Sequence, residues 1–482
     1  MSPWLVATRA TRAHLRAASA SQPLATIDPT RVASEAFLGC LLRFDEHLYG
    51  PRGLSLPRWA FYDCAEMTGV IVGHAARADA LPPDVREIFG EPADDALIPL
   101  SMLVAVPTLE EGHWIAYSLA CLDGSGLPDT CERTLALGLS ILAPRCVTVV
   151  TQWTSERLPL HLAYGSLEVL AAWLPMHDEP ASGAFRYTLG SRRALEPDRS
   201  IELDDVASLV ALQRGLEEGG RAWITGEPAG SVSPLRFEAG PPRPPPSPEP
   251  PDGGPLRDEV VRIEHLRPYL VATPAHLANL ELSPFGRAID PAHQFDPLLT
   301  RSARFLARLE RLDRVAFAAE GMAMPRWLFF DGAELPGAIV GVGISAEALD
   351  DAQRDFLEVE PDEERELVPL AMYIAIPSLE PGAWYGHNLA SIGRRLPGAA
   401  LRGLGSLTKA MGLAVLRCQT QLAATQWDSE TLHVHVRLGM LELITAWTPA
   451  HSEPSTLTYR VRVDEEALRR LVSGTAPETC DP

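Results

Sequence analysis

The sequence is poor in positive charge and above all in lysine. It has 42 Lys and Arg residues against 63 Asp and Glu residues, which gives a net charge of −21, and Lys409 is the only lysine among its 482 residues. A balance this acidic opposes binding to nucleic acids and to anionic membranes unless basic side chains cluster, and no basic run occurs. We therefore expect neither nucleic acid nor a membrane as a partner.

Long apolar runs and patterned cysteines are missing as well. No stretch reaches the roughly 18 uninterrupted apolar residues that a membrane span needs. The seven cysteines are odd in number and scattered, without metal-binding or redox spacing. Such usage is typical of reduced thiols in a cytoplasm rather than of a disulfide framework. We expect a cytoplasmic protein without a metal, and the 46% apolar content predicts a packed globular chain.

The sequence repeats itself once at a nearly constant offset. The matched segments are Pro3–Thr8 with Pro268–Thr273, Pro57–Glu66 with Pro325–Glu334, Gly112–Ala120 with Gly382–Ala390, and Thr151–Trp153 with Thr425–Trp427. A stretch rich in proline lies between the copies and predicts an extended, semi-rigid spacer. We therefore expect two related domains at 1–237 and 261–475, a linker at 238–260, and a tail at 476–482.

Hydrophobic spacing predicts the elements of each copy. Both copies begin with an amphipathic helical stripe, Phe37, Leu38, Leu41 and Phe44 in the first and Phe305, Leu306, Leu309 and Leu312 in the second. In the second copy we expect strands at 327–330, 337–341, 368–376, 384–392, 421–427, 441–448 and 456–463, and helices at 404–417 and 428–439. This order predicts the α/β class, with a mixed α+β sheet covered by helices.

One loop of the second copy has the composition of an anion site. Its glycines follow a predicted strand and open a helix, so backbone N–H groups and the helix N-terminus could meet a diphosphate. An ordinary turn at a helix start is the alternative. The candidate residues are Leu401, Arg402, Gly403, Leu404, Gly405 and Ser406. Lys409 follows on the same helix, either as a cation beside an anionic cofactor or as an accident of codon usage.

The residues after the strand expected at 421–427 are predicted to form a short helix. Asp428 would be its N-cap and Gly439 its left-handed C-cap. The run Asp428–Met440 resembles the Asn-x-x-Ala-x-x-Leu-Tyr-x-x-Leu-Gly-Phe helix of the GNAT N-acetyltransferase superfamily. Asp428 stands for Asn, and His435 stands for Tyr. The run Ala400–Gly405 resembles the acyl-CoA loop of that family, from which Ala400 departs at the first position.

The resemblance implies two tandem GNAT-like acyltransferase domains. Each would be a twisted, mostly antiparallel sheet flanked by helices, with a V-shaped splay between its fourth and fifth strands. Acetyl-CoA or a longer acyl-CoA would lie in that opening as co-substrate, held by the loop and by Asp428, and its acyl group would pass to an amine acceptor. In this resemblance His435 takes the place of the Tyr that protonates the leaving thiolate.

Other residues are weaker candidates. His387 and Asn388 on the fourth strand lie where a base or a base-bound water would act, and Asp331 and Glu334 are expected on an early strand. Structural roles remain the alternative for each of them, and for His435.

The first copy lacks the glycine loop. It has Pro128, Asp129, Thr130 and Cys131 in that place, followed by Glu132. Its carboxylates would repel a diphosphate, so we expect the first copy to keep the fold without the acyl-CoA site. We then expect an N-acyltransferase-like protein with its site in the C-terminal repeat. The alternative is a non-catalytic tandem binding or assembly module, and a monomer and a homodimer both stay open.

Overall fold

The computed structural model of the protein describes residues 1–15, 23–122, 129–177, 181–203, 205–226, 231–240, 266–280, 284–287, 289–360, 366–398, 401, 403–448 and 456–472. The chain divides into two compact units. The first holds residues 1–244, 378–380 and 447–454, and the second holds 245–377, 381–446 and 455–482. The expected linker beyond residue 240 and the tail 476–482 lie outside the described residues.

The first unit is built on one large mixed sheet. Its strands are β1 (Ser2–Val6), β2 (Ala25–Ile27), β3 (Val70–Arg77), β4 (Leu97–Pro99), β5 (Ser101–Pro107), β6 (His113–Cys121), β7 (Cys146–Gln152), β8 (Leu167–Ala171), β9 (Ser182–Thr188), β10 (Arg199–Glu202), β11 (Arg221–Ile224) and β12 (Val232–Glu238). They run in the order β10-β12-β11-β8-β9-β7-β6-β5-β3-β1-β2, with β4 paired to β3.

Helices connect these strands. They are α1 (Arg9–Ala13), α2 (Glu35–Tyr49), α3 (Arg58–Phe61), α4 (Pro83–Ile88), α5 (Thr130–Leu142), α6 (Leu158–Leu162) and α7 (Val206–Glu217). The segment from β10 to β12, for which no elements were expected, extends the sheet beyond β8 through pairing of β11 with β8.

The second unit has a smaller mixed sheet. Its strands are β13 (Leu266–Val271), β14 (Gln294–Phe295), β15 (Ala338–Ser345), β16 (Leu367–Pro377), β17 (Ala383–Ser391), β18 (Thr420–Gln426), β19 (Gly439–Thr445) and β20 (Thr456–Val463). They run in the order β14-β13-β15-β16-β17-β18-β20-β19. The mixed α/β class is therefore confirmed.

The helices of the second unit are α8 (Pro274–Asn279), α9 (Pro284–Arg287), α10 (Ala303–Phe317), α11 (Arg326–Phe329), α12 (Asp351–Leu357), α13 (Leu404–Val415), α14 (Glu430–Leu438) and α15 (Glu465–Val472). The predicted stripes are buried on α2 and α10, as helical spacing requires. Within the described residues, no helix is long and apolar enough to cross a bilayer.

The strand expected at 327–330 is wrong. Arg326–Phe329 is helical and continues into a π-helical turn at Phe330–Glu334. Both faces of this segment are buried, so its apolar run has the appearance of a buried strand. The Arg326 guanidinium donates to both carboxylate oxygens of Glu334 at 3.1 and 3.3 Å, and this buried ion pair closes the turn. Asp331 and Glu334 thus lie on a π-helical turn and not on a strand.

The expectation of reduced thiols throughout is also wrong. Cys121, the last residue of β6, forms a disulfide with Cys131, the second residue of α5. Four further cysteines are buried and form no disulfide in the described part of the chain. Scattered spacing gave no sign of the pair because the strand and the helix bring the two residues together only in the fold.

Candidate functional site

The candidate site lies where β17 and β18 separate. These parallel strands pair through Ala383–Tyr385 and Thr420–Leu422, and within the described residues their pairing ends there. On its other side β17 remains paired with β16, where the register shifts. Asn388 pairs with Ile374 and Gly386 with Ala375, so His387 is the extra residue of a β-bulge. Six of the nine residues of β17 therefore border an opening in the sheet.

The glycine loop leads from this strand into α13. The N–H of Leu401 donates to the carbonyl of Gly393 at 2.8 Å, which fixes the base of the loop. Gly403 is the N-cap residue, with φ of 81°, and a Cβ there would meet no heavy atom within 4 Å. The first-turn N–H groups of α13 therefore begin beside open space, as an anion site requires.

The predicted loop residues differ in what they can offer. Leu401 and Leu404 are buried, so only their backbone groups could reach a ligand, whereas Gly405 and Ser406 are half-buried. Arg402 and Ala400 lie outside the described residues.

One predicted cap of α14 is wrong and the other is right in position. The N-cap is Ser429, whose side chain accepts from the N–H of Thr431, and Asp428 is an exposed residue before it. Gly439 is the C-cap, as predicted, but its conformation is not left-handed, because it opens β19 with φ of 158°. A Cβ on Gly439 would lie 1.8 Å from the Arg462 carbonyl oxygen, so the close pairing with β20 requires glycine.

His435 faces inward from α14 and contacts Lys409 of α13. His435 is 4% exposed and Lys409 is 1% exposed, and the Lys409 Nζ meets the Nε2 of His435. Burial, helped by the nearby Lys409, lowers the pKa of His435 well below its usual value, and burial lowers the pKa of Lys409 in the same way. With its pKa lowered, Lys409 can either donate to Nε2 or accept from it, so the position of the imidazole proton depends on the tautomer.

This contact revises two interpretations from the sequence. Lys409 points into the core and not towards the loop, so it is not a cation beside a diphosphate. The lowered pKa disfavours the imidazolium form that a general acid needs, and the Nδ1 of His435 has no hydrogen-bond partner among the described residues.

More buried polar groups surround this pair. The Nζ of Lys409 lies 5.6 Å from the centre of the Tyr373 ring, and the rings of His435 and Tyr459 are 5.1 Å apart. A Cβ on Gly386 would meet the Gln421 Nε2 at 2.4 Å and the Tyr373 hydroxyl at 2.7 Å, so both groups lie at the strand opening. We call Tyr373, Lys409, Gln421, His435 and Tyr459 the polar cluster.

Its polar atoms are poorly satisfied. Within the described residues no hydrogen bond is made by the hydroxyls of Tyr373 and Tyr459 or by the side-chain amide of Gln421. These side chains are at most 1% exposed. A buried polar group without a partner costs about 1–3 kcal/mol, so native proteins seldom collect several in one place.

The first unit has apolar residues at the matching positions. The strand registers of the two units can be matched residue by residue, and α5 and α13 can be matched by counting from their first residues. The matched pairs are Leu103 with Tyr373, Ala116 with Gly386, Leu135 with Lys409, Val147 with Gln421, and Phe185 with Tyr459. All five residues of the first unit belong to one hydrophobic core cluster. The fold therefore does not need polar groups there.

The other predicted catalytic residues meet a buried carboxylate. The Asn388 Nδ2 donates to the Asp313 Oδ1 at 2.6 Å, and the Met324 N–H donates to its Oδ2 at 2.8 Å. Burial raises the pKa of Asp313 to about 6. His387 is half-buried, with its Nε2 3.1 Å from the Met324 Sδ. Asp313 thus positions Asn388 at the bulge, beside His387.

Sequence reasoning missed Asp313, Tyr373, Gln421 and Tyr459. Tyr373, Gln421 and Tyr459 could have been found by comparing the two copies position by position, because each replaces an apolar residue of the first copy. For Asp313 no such signal exists, because Asp45 of the first unit accepts the Leu56 N–H at 2.7 Å in the same way.

No protein-family model matches the chain, and no curated protein matches it. Solved structures that match parts of it include N-acetyltransferases. The ribosomal-protein-S18-alanine N-acetyltransferase from Escherichia coli is 11% identical, covers 33% of this chain and 88% of its own, and has a TM-score of 0.23. The IAA acetyltransferase from Bacillus cereus is 10% identical, covers 32% and 91%, and has a TM-score of 0.21. At these scores the likeness carries no conclusion about this chain.

Proposed function

We propose that the second unit binds an acyl-CoA in the opening between β17 and β18 and transfers the acyl group to an amine acceptor. The observation that carries this proposal is the end of strand pairing after Tyr385, directly beside the bulge at His387. An extended, amide-containing chain could take the hydrogen-bonding place of the missing strand there. The start of α13 at Gly403 would receive the diphosphate, with first-turn N–H groups as donors.

The chemistry assigned to this opening is direct transfer. The acceptor nitrogen attacks the thioester carbonyl carbon, the carbon–sulfur bond breaks, and the amine loses a proton. We assign His387 as the base that takes this proton. Its side chain is half-buried at the bulge, so it can contact an incoming amine. Asp313 and Asn388 are positioning residues on the same strand segment.

His435 receives a narrower role than its sequence position implies. Because burial keeps the imidazole uncharged, we assign its Nδ1–H as a hydrogen-bond donor to the thioester sulfur and the departing thiolate. Such a donor stabilises developing negative charge without giving up a proton. The thiolate then takes its proton from water.

We also propose that the two units arose by duplication and that only the second binds acyl-CoA. The strands of the two sheets lie in the same order: β1-β3-β5-β6-β7-β9-β8 in the first unit corresponds to β13-β15-β16-β17-β18-β20-β19 in the second. In the first unit the disulfide between Cys121 and Cys131 closes the base of the loop. Apolar side chains there take the places of Tyr373, Lys409, Gln421 and Tyr459.

A thermal shift tests the proposed binding. A ligand at 100 times its Kd stabilises the folded state by about 2.7 kcal/mol. We expect CoA and acetyl-CoA to raise the melting temperature of the full chain. If neither raises it in protein shown to be folded by circular dichroism, the acyltransferase proposal fails.

A second candidate function, self-association, is favoured by β19. Among the described strands β19 is at the edge of its sheet, and Met440, Leu443 and Ile444 are 64%, 43% and 40% exposed. In the first unit β8 takes the same place beside its partner strand and is covered by β11. An uncovered apolar edge is a template for another strand. We infer that β19 of a second copy is its occupant, in an antiparallel pair.

A further inference from the structure

The polar cluster contains a buried cation without a carboxylate. Lys409 forms no ion pair with any described residue, and its one polar contact is the Nε2 of His435. Two arginines in the described part of the chain have carboxylate partners instead. The buried Arg326 pairs with Glu334 at 3.1 Å, and the half-buried Arg58 pairs with Glu66 at 2.8 Å. Burial of an unpaired charge is costly, so a buried lysine is either uncharged or matched by a ligand.

The free atoms around Lys409 are mainly hydrogen-bond donors. The hydroxyls of Tyr373 and Tyr459 and the Nε2 of Gln421 can each donate, and none has a partner among the described residues. A ligand that suits several donors and one ammonium group is an acceptor with negative charge. A carboxylate has two oxygens with about four acceptor sites and is compact enough for a buried place.

The position of the cluster identifies which carboxylate could reach it. Gln421 and Tyr373 lie against Gly386, the first residue of β17 beyond the paired part of the opening. A thioester bound in that opening would direct its acyl group towards Gly386. An amine acceptor would instead approach from His387, whose side chain is half-buried. The acyl group is therefore the source of the carboxylate.

We propose that the polar cluster binds the terminal carboxylate of a dicarboxylic acyl group, so that the co-substrate is an acyl-CoA of the succinyl or glutaryl type. Lys409 supplies the counter-charge, and Tyr373, Gln421 and Tyr459 supply hydrogen bonds. This inference rests on the proposed acyl-CoA site. It explains why a core position that is apolar in the first unit carries five polar or small residues here.

Calorimetric titration of the full chain with CoA, acetyl-CoA, succinyl-CoA and sodium succinate tests the inference. We expect succinyl-CoA to bind at least about tenfold more tightly than acetyl-CoA, and free succinate to bind far more weakly than either. Equal or weaker binding of succinyl-CoA, with acetyl-CoA still bound, overturns the inference and leaves the acyl-CoA site intact. Succinate binding as tight as that of succinyl-CoA also overturns it, because the carboxylate would not belong to an acyl group.

Variants locate the effect. Lys409→Leu introduces the residue of the first unit, and Tyr459→Phe does the same with less disturbance. The measured quantity is the affinity for succinyl-CoA divided by the affinity for acetyl-CoA. We expect Lys409→Leu to reduce this ratio to about one and Tyr459→Phe to reduce it about threefold. Met411→Leu, a buried change on the same helix, is the matched control and keeps the ratio. If Lys409→Leu does not fold, Tyr459→Phe decides, and a ratio unchanged in Tyr459→Phe overturns the inference.

If none of the CoA compounds binds, the proposed function fails, and the inference fails with it. The two failures are therefore distinguished by the acetyl-CoA titration.

Discussion

A Cβ on Gly405 would lie 3.6 Å from the Cβ of Ser391. Ser391 is the last residue of β17, and Gly405 is the second residue of α13. In the first unit the same two places are taken by Cys121 and Cys131, which are joined by a disulfide. The units thus differ at the base of the loop, which is covalently closed in one and open in the other.

A disulfide introduced at this position should close the loop of the second unit. The distance of 3.6 Å lies within the Cβ separation of about 3.5–4.5 Å found in disulfides. We expect oxidised Ser391→Cys/Gly405→Cys to lose CoA binding, since the cross-link holds the loop against the strand, and reduction to restore it. The measurement is calorimetry before and after reductant, with each single variant as control. Undiminished binding by the fully oxidised double variant would place the ligand elsewhere.

A carboxylate at the start of α13 should repel the diphosphate. We expect Gly403→Glu to weaken CoA binding at least about tenfold, since the charge opposes both the ligand and the helix N-terminus. Glutamate is also strained at this φ of 81°. Gly321→Glu is the matched control, because Gly321 has a φ of 67° and similar open space in the same unit. The site assignment is wrong if both variants bind CoA equally well.

Much of the fold follows from the sequence, and the chemistry of the core does not. Helical stripes at Phe37 and Phe305 predicted α2 and α10, because burial of one face sets the spacing of apolar residues. The segment at Trp327 was misread since burial on all sides removes periodicity. The contact of Lys409 with His435 depends on how two helices pack, and the Cys121–Cys131 pair depends on where a strand ends. Neither relation leaves a pattern in one sequence.

The disulfide should contribute to the stability of the first unit. Its cysteines are 10 residues apart, and closing such a loop in the unfolded chain is worth about 3 kcal/mol in the chain-entropy model. We expect Cys131→Ser to lower the free energy of unfolding by about that amount. Denaturant unfolding checks this, and Cys40→Ser, at a free cysteine, is the control. The disulfide has no such role if reductant leaves the unfolding midpoint of the wild-type chain unchanged.

His161 should make the first unit sensitive to mild acid. Burial lowers the pKa of His161 to about 4 from 6.5. Between pH 6.5 and pH 4 the unfolded chain binds a proton at His161 and the folded chain does not. The free energy of unfolding is therefore higher at pH 7 and decreases as the pH falls. By this linkage the loss at pH 5 is about 2 kcal/mol, and His161→Gln should remove it. Hydrogen exchange of α6 at both pH values is the measurement. Equal pH dependence in the two proteins would contradict the assignment.

An acidic residue on β19 should prevent self-association if that edge pairs with a second copy. We expect a dimer for the wild-type chain and a monomer for Leu443→Glu, because charge at a strand edge opposes pairing. Val206→Glu, at an exposed apolar residue of the first unit, is the control and should remain a dimer. Multi-angle light scattering measures the mass, and a monomeric wild-type chain rules this candidate out.

The central claim is that one unit of two holds the acyl-CoA site, and the stoichiometry of binding tests it most directly. Calorimetric titration of the full chain with acetyl-CoA should give one site per chain, and the oxidised Ser391→Cys/Gly405→Cys variant should give none. Two sites per chain, or no binding to the folded wild-type protein, would contradict the account.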